Sequence, residues 1–267
     1  MKMCIFKFKF IPYLLINFYC GFIFSAGSHY DVLPLAKEDY QYDQYFRINE
    51  NSVAGFIDLL NLENIKRPFP LPSIPYNRRE QFGTWIYPKN DNLCLNVRGL
   101  VLVRDADAAV TYSADGCAVV SGAWDDPYTA RTFASAREIQ IDHFVPLKNA
   151  YMTGGYEWDA NKRCLYANYL GNDFHLLAVN GAENMSKGDS SPAEYTPPNK
   201  HYVCQYLKQW LLVKVIWQLR LTPFETESIR DEVQKNDCAR SDFQMTAEEL
   251  SSQRRYMFEN KNLCSRP

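Results

Sequence analysis

Net positive charge is missing from this 267-residue chain, in which 29 lysines and arginines stand against 31 aspartates and glutamates. A protein that gathers a polyanion through bulk electrostatics carries a basic excess. That mode is excluded here, so any polyphosphate ligand needs a local cluster of cations or a bound metal ion. The six cysteines beyond residue 26 include no CxxC pair, which argues against a thiolate zinc site. HExxH and GxSxG are also absent, which sets aside the zinc-protease and serine-hydrolase mechanisms. There is no low-complexity tract and no internal repeat, so a solenoid is excluded. After residue 24 no apolar run approaches the length of about 20 residues that spans a bilayer.

The N-terminus is where apolar residues concentrate. Lys2, Lys7 and Lys9 precede an apolar run over 10–24, closed by Ser25, Ala26 and Gly27. This is the pattern of a signal peptide over 1–26. The run is short for an anchor and is interrupted by Pro12 and Asn17. Cleavage leaves 26 basic against 31 acidic groups, a balance of −5. The expectation is a secreted or periplasmic protein, monomeric and free of the membrane once the signal is removed. Cysteine usage agrees, because Cys94, Cys117, Cys164, Cys204, Cys238 and Cys264 form an even set, as closed disulfides require. Many pairings remain open. Cys94–Cys117 is the first choice, since each lies near the start of a strand-like segment.

The length suits one sizeable domain with extensions. Residues 27–75 read as an N-terminal extension, with a short helix over 52–62 and then Pro68, Pro70, Pro72 and Pro75 enforcing an extended linker. The main domain is placed at 76–267. Within it VRGLVLVRD and CAVVSGAW are rich in β-branched residues and separated by the turn-prone Ser113, Ala114, Asp115 and Gly116, which predicts two paired strands. Beyond residue 200 the period changes. Tyr206, Trp210, Val213 and Trp217 fall on one helical face, and Thr222, Pro223 and Glu225, then Thr246 and Glu249, carry capping-box signatures of two further helices. The fold class is therefore α+β, stapled by disulfides.

The chemistry-bearing residues cluster in the centre. EIQIDHFVPL, residues 138–147, reads as an alternating strand that delivers Asp142 and His143 to its end, stopped by Pro146. NDFHLLAVNGAENMSKGD, residues 172–189, reads as a strand opened by His175, a turn at Asn180 and Gly181, and Asn184 beyond it. Strand, turn, strand and helix are expected to bring Asp142, His143 and Asn184 into one cleft.

These blocks resemble the HNH, or ββα-metal (His-Me finger), endonucleases, through IDHFVPL, through His175-Leu176-Leu177 at the position usually held by Asn-Leu, and through Asn184 at the final position. The resemblance is closer to small exported proteins similar to the C-terminal domain of GmrSD-type restriction endonucleases. There FGTW, CLNVRGLVLVRD, VVSGAWDDPYT, IDHFVPLKNAY, NDFHLLAVNGAENMSKGD, PAEY and YVCQYLKQWLLVK all take part, from about Tyr76 to Cys238. The resemblance implies a ββα-metal core with an added β-hairpin region and C-terminal helices. It implies a secreted endonuclease that hydrolyses DNA or RNA, with His143 as general base. Asp142 and Asn184 would be ligands of one divalent ion, Mg²⁺ or Mn²⁺, and His175 would orient the base. Lys187 and Arg137 are candidates for phosphate contact, Glu138 is structural, and His201 is an ordinary helix-entry residue. The competing reading is a catalytically silent relative, a secreted binding protein that keeps the scaffold.

Overall fold

The computed structural model describes residues 72–88 and 94–265. The expected signal segment, the helix over 52–62 and most of the proline stretch lie outside the described residues. The chain enters through a short helix α1 (Arg78–Phe82) and continues into α2 (Val97–Arg104). Here the structure corrects the sequence reading, because VRGLVLVR is helical rather than a strand. The cap explains why: the Asn96 side chain accepts from the Gly99 amide at 3.1 Å and satisfies a first-turn donor. Val97 and Val101, one turn apart, are then fully buried on one face. Tertiary burial outweighs the β-preference of the valines.

A three-stranded antiparallel sheet follows in the order β1 (Thr111–Tyr112), β2 (Val119–Asp126), β3 (Arg131–Ser135). The turn expected at residues 113–116 joins β1 to β2, with the Gly116 amide donating to the Ser113 carbonyl. Trp124 of β2 is 1% exposed and donates its indole N–H to the Leu102 carbonyl at 2.9 Å, which fastens the sheet to α2.

The second sheet has two antiparallel strands, β4 (Ile139–His143) and β5 (Leu176–Asn180), with Ile139 opposite Asn180 and His143 opposite Leu176. Between them the chain makes a long excursion through α3 (Leu147–Met152) and α4 (Ala160–Ala167). From β5 it turns at once into α5 (Gly181–Lys187). Gly181 sits where a Cβ would come within 3.2 Å of the Gln140 side chain and 3.3 Å of the Glu138 carbonyl, so a larger residue would crowd this abrupt junction.

Three helices complete the domain, α6 (Val203–Trp217), α7 (Pro223–Lys235) and α8 (Ala247–Glu259). Tyr206, Trp210, Val213 and Trp217 are all fully buried, as their spacing predicts, and so are Leu207 and Ile216 between them. A helix apolar on nearly every face belongs at the centre, and the major core forms around α6. Both capping boxes form, at Thr222 with Glu225 and at Thr246 with Glu249. No helix among the described residues is long and apolar enough to cross a membrane.

The six cysteines close as Cys94–Cys117, Cys164–Cys264 and Cys204–Cys238. The first joins the start of α2 to the start of β2 rather than two strands. Cys164–Cys264, spanning 100 positions, ties α4 to the C-terminal end, where a link removes much loop-closure entropy from the unfolded chain. Replacing Cys164 and Cys264 together by serine should lower unfolding free energy by about 2–5 kcal/mol, read from denaturant midpoints. An unchanged midpoint would mean that this link adds nothing to stability.

Candidate active site

Side chains alternate along β4, so neighbouring motif residues part company. Ile139 and Ile141 enter the core beneath α2, and His143 follows them in register. Gln140 and Asp142 point to the opposite face, toward α5, where both find partners.

His143 is held on two sides. Its ring lies parallel to that of Trp85, with centroids 5.1 Å apart and 5° between planes. Its Nε2 is 3.0 Å from the carbonyl oxygen of Ala167. A carbonyl only accepts, so Nε2 carries the proton and Nδ1 is left as the acceptor. Only 8% of His143 is exposed. Burial pushes its pKa down to about 3, with Arg78 among the nearby cations acting in the same sense. The ring therefore stays neutral well into acid.

The exposed part of His143 lines a cleft of about 450 Å³, whose walls include Arg78, Arg79, Thr84, Trp85, Leu147 and Ala167. Arg78 and Arg79 are exposed and form no ion pair among the described residues. Sequence reasoning passed over both, and Trp85 with them. Their only signal was the arginine pair just ahead of FGTW.

Asp142 is 4% exposed and spoken for at both oxygens. Lys187 Nζ donates to Oδ1 at 2.8 Å, and the Tyr128 hydroxyl donates to Oδ2 at 2.6 Å. Lys187 is fully buried at the end of α5 and also donates to the His143 carbonyl at 3.3 Å. A solvent-shielded lysine cannot reach a phosphate in this arrangement, so its expected substrate contact is not what the structure displays. Burial lowers its pKa, and the Asp142 carboxylate works against that. One turn earlier in α5, Asn184 donates from Nδ2 to Gln140 Oε1 at 3.0 Å. Helix and strand thus meet in two rungs, Asn184 on Gln140 and Lys187 on Asp142.

This geometry bears directly on the divalent ion. An ion at Asp142 would have to displace or share the carboxylate with the lysine ammonium and the tyrosine hydroxyl, each of which already donates to one of its oxygens. Among the described residues no three histidine, cysteine or acidic side chains are grouped to hold a metal. With the Asp142 carboxylate paired to a buried ammonium and the Asn184 amide turned to Gln140, these residues as arranged do not present the ligand pair that the resemblance implies, and by strand alternation His143 lies on the other face of β4 from Gln140, the partner of Asn184.

His175 is 1% exposed, just ahead of β5, with Tyr166, Tyr169 and Trp217 rings within 4.5–5.6 Å of its own. Its Nε2 meets the Tyr166 carbonyl at 2.8 Å, and its own carbonyl accepts from the Phe144 amide at 3.0 Å. It is a brace in the core, too enclosed to touch a substrate. Arg137 is exposed on the turn ahead of β4 and outside the cleft. Glu138 uses its carbonyl to receive the Gly181 amide at 2.7 Å, a structural part as expected. His201 lies in the 3₁₀ turn Lys200–Tyr202 that leads into α6.

Comparison with known proteins agrees with the central segment. Residues 104–232 match the family model described as GmrSD restriction endonucleases, C-terminal domain. An uncharacterized secreted protein of Arthroderma benhamiae is 37% identical over 152 residues, which cover 57% of this chain and 71% of that one. No solved structure matches. The chain is thus a nuclease-related protein similar to a secreted one. It belongs to the family of the GmrSD C-terminal domain. His143, Asp142 and Asn184 fall inside the matched segment, whereas Arg78, Arg79 and Trp85 precede it.

Two outcomes test this site. Asp142→Asn strands a buried lysine charge and should cost about 3–5 kcal/mol of stability, with much of the loss recovered when Lys187→Met is added; chemical denaturation reads both. A stable single variant would show that the pair is not a strut. Acid stability is the second. His143 and His175 are each pushed down to about 3 from 6.5 by burial, so the unfolded chain takes up their protons first. Their contribution is complete above pH 6.5 and is lost progressively toward pH 3. His175→Phe should flatten the fall in melting temperature between pH 7 and pH 5, and an equally steep fall would remove His175 from the account.

Proposed function

We propose that this chain is an exported endonuclease that hydrolyses phosphodiester bonds of DNA or RNA, with His143 as general base. The observation that carries the reading is the Ala167 carbonyl on Nε2. It fixes the tautomer and leaves Nδ1 as the proton acceptor of a ring that lines the cleft. Family membership supplies the substrate class.

The chemistry runs through few atoms. A water held at Nδ1 gives its proton to the imidazole as its oxygen attacks phosphorus. The bond to the leaving nucleoside oxygen breaks, and solvent protonates that oxygen. A base with a low pKa is weak in the empty cleft. An anionic phosphate beside it favours the imidazolium and raises its affinity for the proton, so base strength arrives with the substrate. No step is routed through a metal ion, because Asp142 is already engaged.

A second reading, a nuclease-like secreted protein that binds without cutting, has one observation in its favour, namely that same engagement of Asp142. One experiment separates them. The full mature chain is incubated with supercoiled plasmid, single-stranded DNA and RNA. Cleavage of at least one is expected. His143→Gln, which keeps a donor for Ala167, should lose about 10²–10⁴-fold in rate while its melting temperature stays close to the parent's. No cleavage of any substrate would leave the binding reading. The pH profile adds a check of sign: kcat/KM should not fall as pH passes down through 6.5, because the base of the free protein protonates only in stronger acid.

A further inference from the structure

Most arginines of the domain are committed to the fold. Arg98 donates to the carbonyls of Ala136 and Ile139, Arg104 pairs with Asp105, and Arg163 donates to the Gln81 carbonyl. Arg78 and Arg79 are different. They stand side by side at the cleft of His143, exposed and without an ion-pair partner among the described residues. Asp189, an acid near this region, is paired with Lys148 at 3.4 Å. Two adjacent cations that form no ion pair among the described residues repel one another, and both are exposed rather than packed.

Their backbone is nonetheless well fixed. The Asn77 side chain accepts from the amides of Arg79 and Glu80. Gln81 donates to the Pro75 carbonyl at 2.9 Å and to the Tyr151 hydroxyl at 3.2 Å. Phe82 is 1% exposed in the core, and Gly83 ends the turn at a φ of 71° that suits glycine. The guanidinium groups therefore extend from a rigid base, which reduces the entropy lost on gripping a ligand. The charge budget of the whole molecule makes the pair more telling, since a chain with a net charge of −2 has no bulk attraction for a polyanion.

We infer that Arg78 and Arg79 form a phosphate-binding clamp on the His143 cleft, taking the non-bridging oxygens of a phosphodiester through their N–H forks. Guanidinium geometry matches two phosphate oxygens at once. The clamp supplies the positive charge that Asp142 and Lys187, bound to each other, do not offer. The inference rests on the hydrolase reading for its choice of ligand, but phosphate binding is measurable apart from cleavage.

The test uses the full mature chain carrying His143→Gln, titrated with inorganic phosphate and with a short fluorescein-labelled single-stranded oligodeoxynucleotide, with and without EDTA. Binding of both is expected, indifferent to the chelator. Arg78→Gln with Arg79→Gln should weaken both by about tenfold or more, from the loss of two charged hydrogen-bonding groups, while the control Arg137→Gln changes neither. Affinity unaltered in the double variant, or binding abolished by EDTA, would overturn the clamp. The two readings fail separately. Arginine-dependent phosphate binding by a parent chain that cuts nothing keeps the clamp and ends the hydrolase reading. Cleavage whose KM ignores both arginines does the opposite.

Discussion

The last carbonyls of a helix have no partner inside it and must find donors elsewhere. At the end of α4 the carbonyls of Tyr166 and Ala167 find two imidazoles, His175 at 2.8 Å and His143 at 3.0 Å. One histidine ends β4 and the other immediately precedes β5, so a single helix terminus gathers both strands of the second sheet. The negative end of the helix dipole favours donors there, and neutral rings with protonated Nε2 are what burial enforces. The tautomer of the proposed base is thus a by-product of completing a helix. Without α4 the imidazole of His143 would keep only its stack on Trp85 and would lack a defined vacant nitrogen.

The excursion between β4 and β5 is where that helix comes from. It is fastened at several points: Cys164 bonds to Cys264, Asn168 donates to the Cys164 carbonyl at 3.0 Å, and the Tyr166 hydroxyl donates to the Val145 carbonyl at 2.7 Å. Arg163 adds donors to the carbonyls of Gln81 and Trp158. Through Gln81 the same helix holds α1, the element that carries the two cleft arginines. Disulfide, aromatic core and cleft are therefore mechanically continuous.

Much of this was legible in the sequence, and the limits have physical causes. Capping boxes and the helical stripe through Tyr206 and Trp217 are local signals and survive into the fold unchanged. VRGLVLVR misled because valine prefers strands only when a pleated partner is available; an asparagine cap and a buried face made it α2. The Asp142-His143 dipeptide does end β4 as its pattern predicts, yet period-two alternation sends its members to opposite faces. Placing both in one cleft with Asn184 neglected that rule. Arg78 and Arg79 escaped notice because their proposed significance lies in the absence of an ion-pair partner among the described residues and in their place on the cleft, and no spacing in a sequence reports that.

Alternation also gives the motif an unexpected division of labour. Asp142 faces α5 and anchors Lys187, whose ammonium reaches on to the carbonyl of His143 itself. His143 is therefore held from two directions, its ring by the carbonyl of Ala167 and its peptide by a buried cation. A buried ion pair contributes little net stability compared with well-packed apolar residues, whereas breaking one is costly. Its value here is positional: Tyr128, Asp142 and Lys187 lock the end of β4, and with it His143, against α5. On that argument the carboxylate shapes the cleft from behind, and the hydrolysis proposed at its mouth would depend on it without ever touching it.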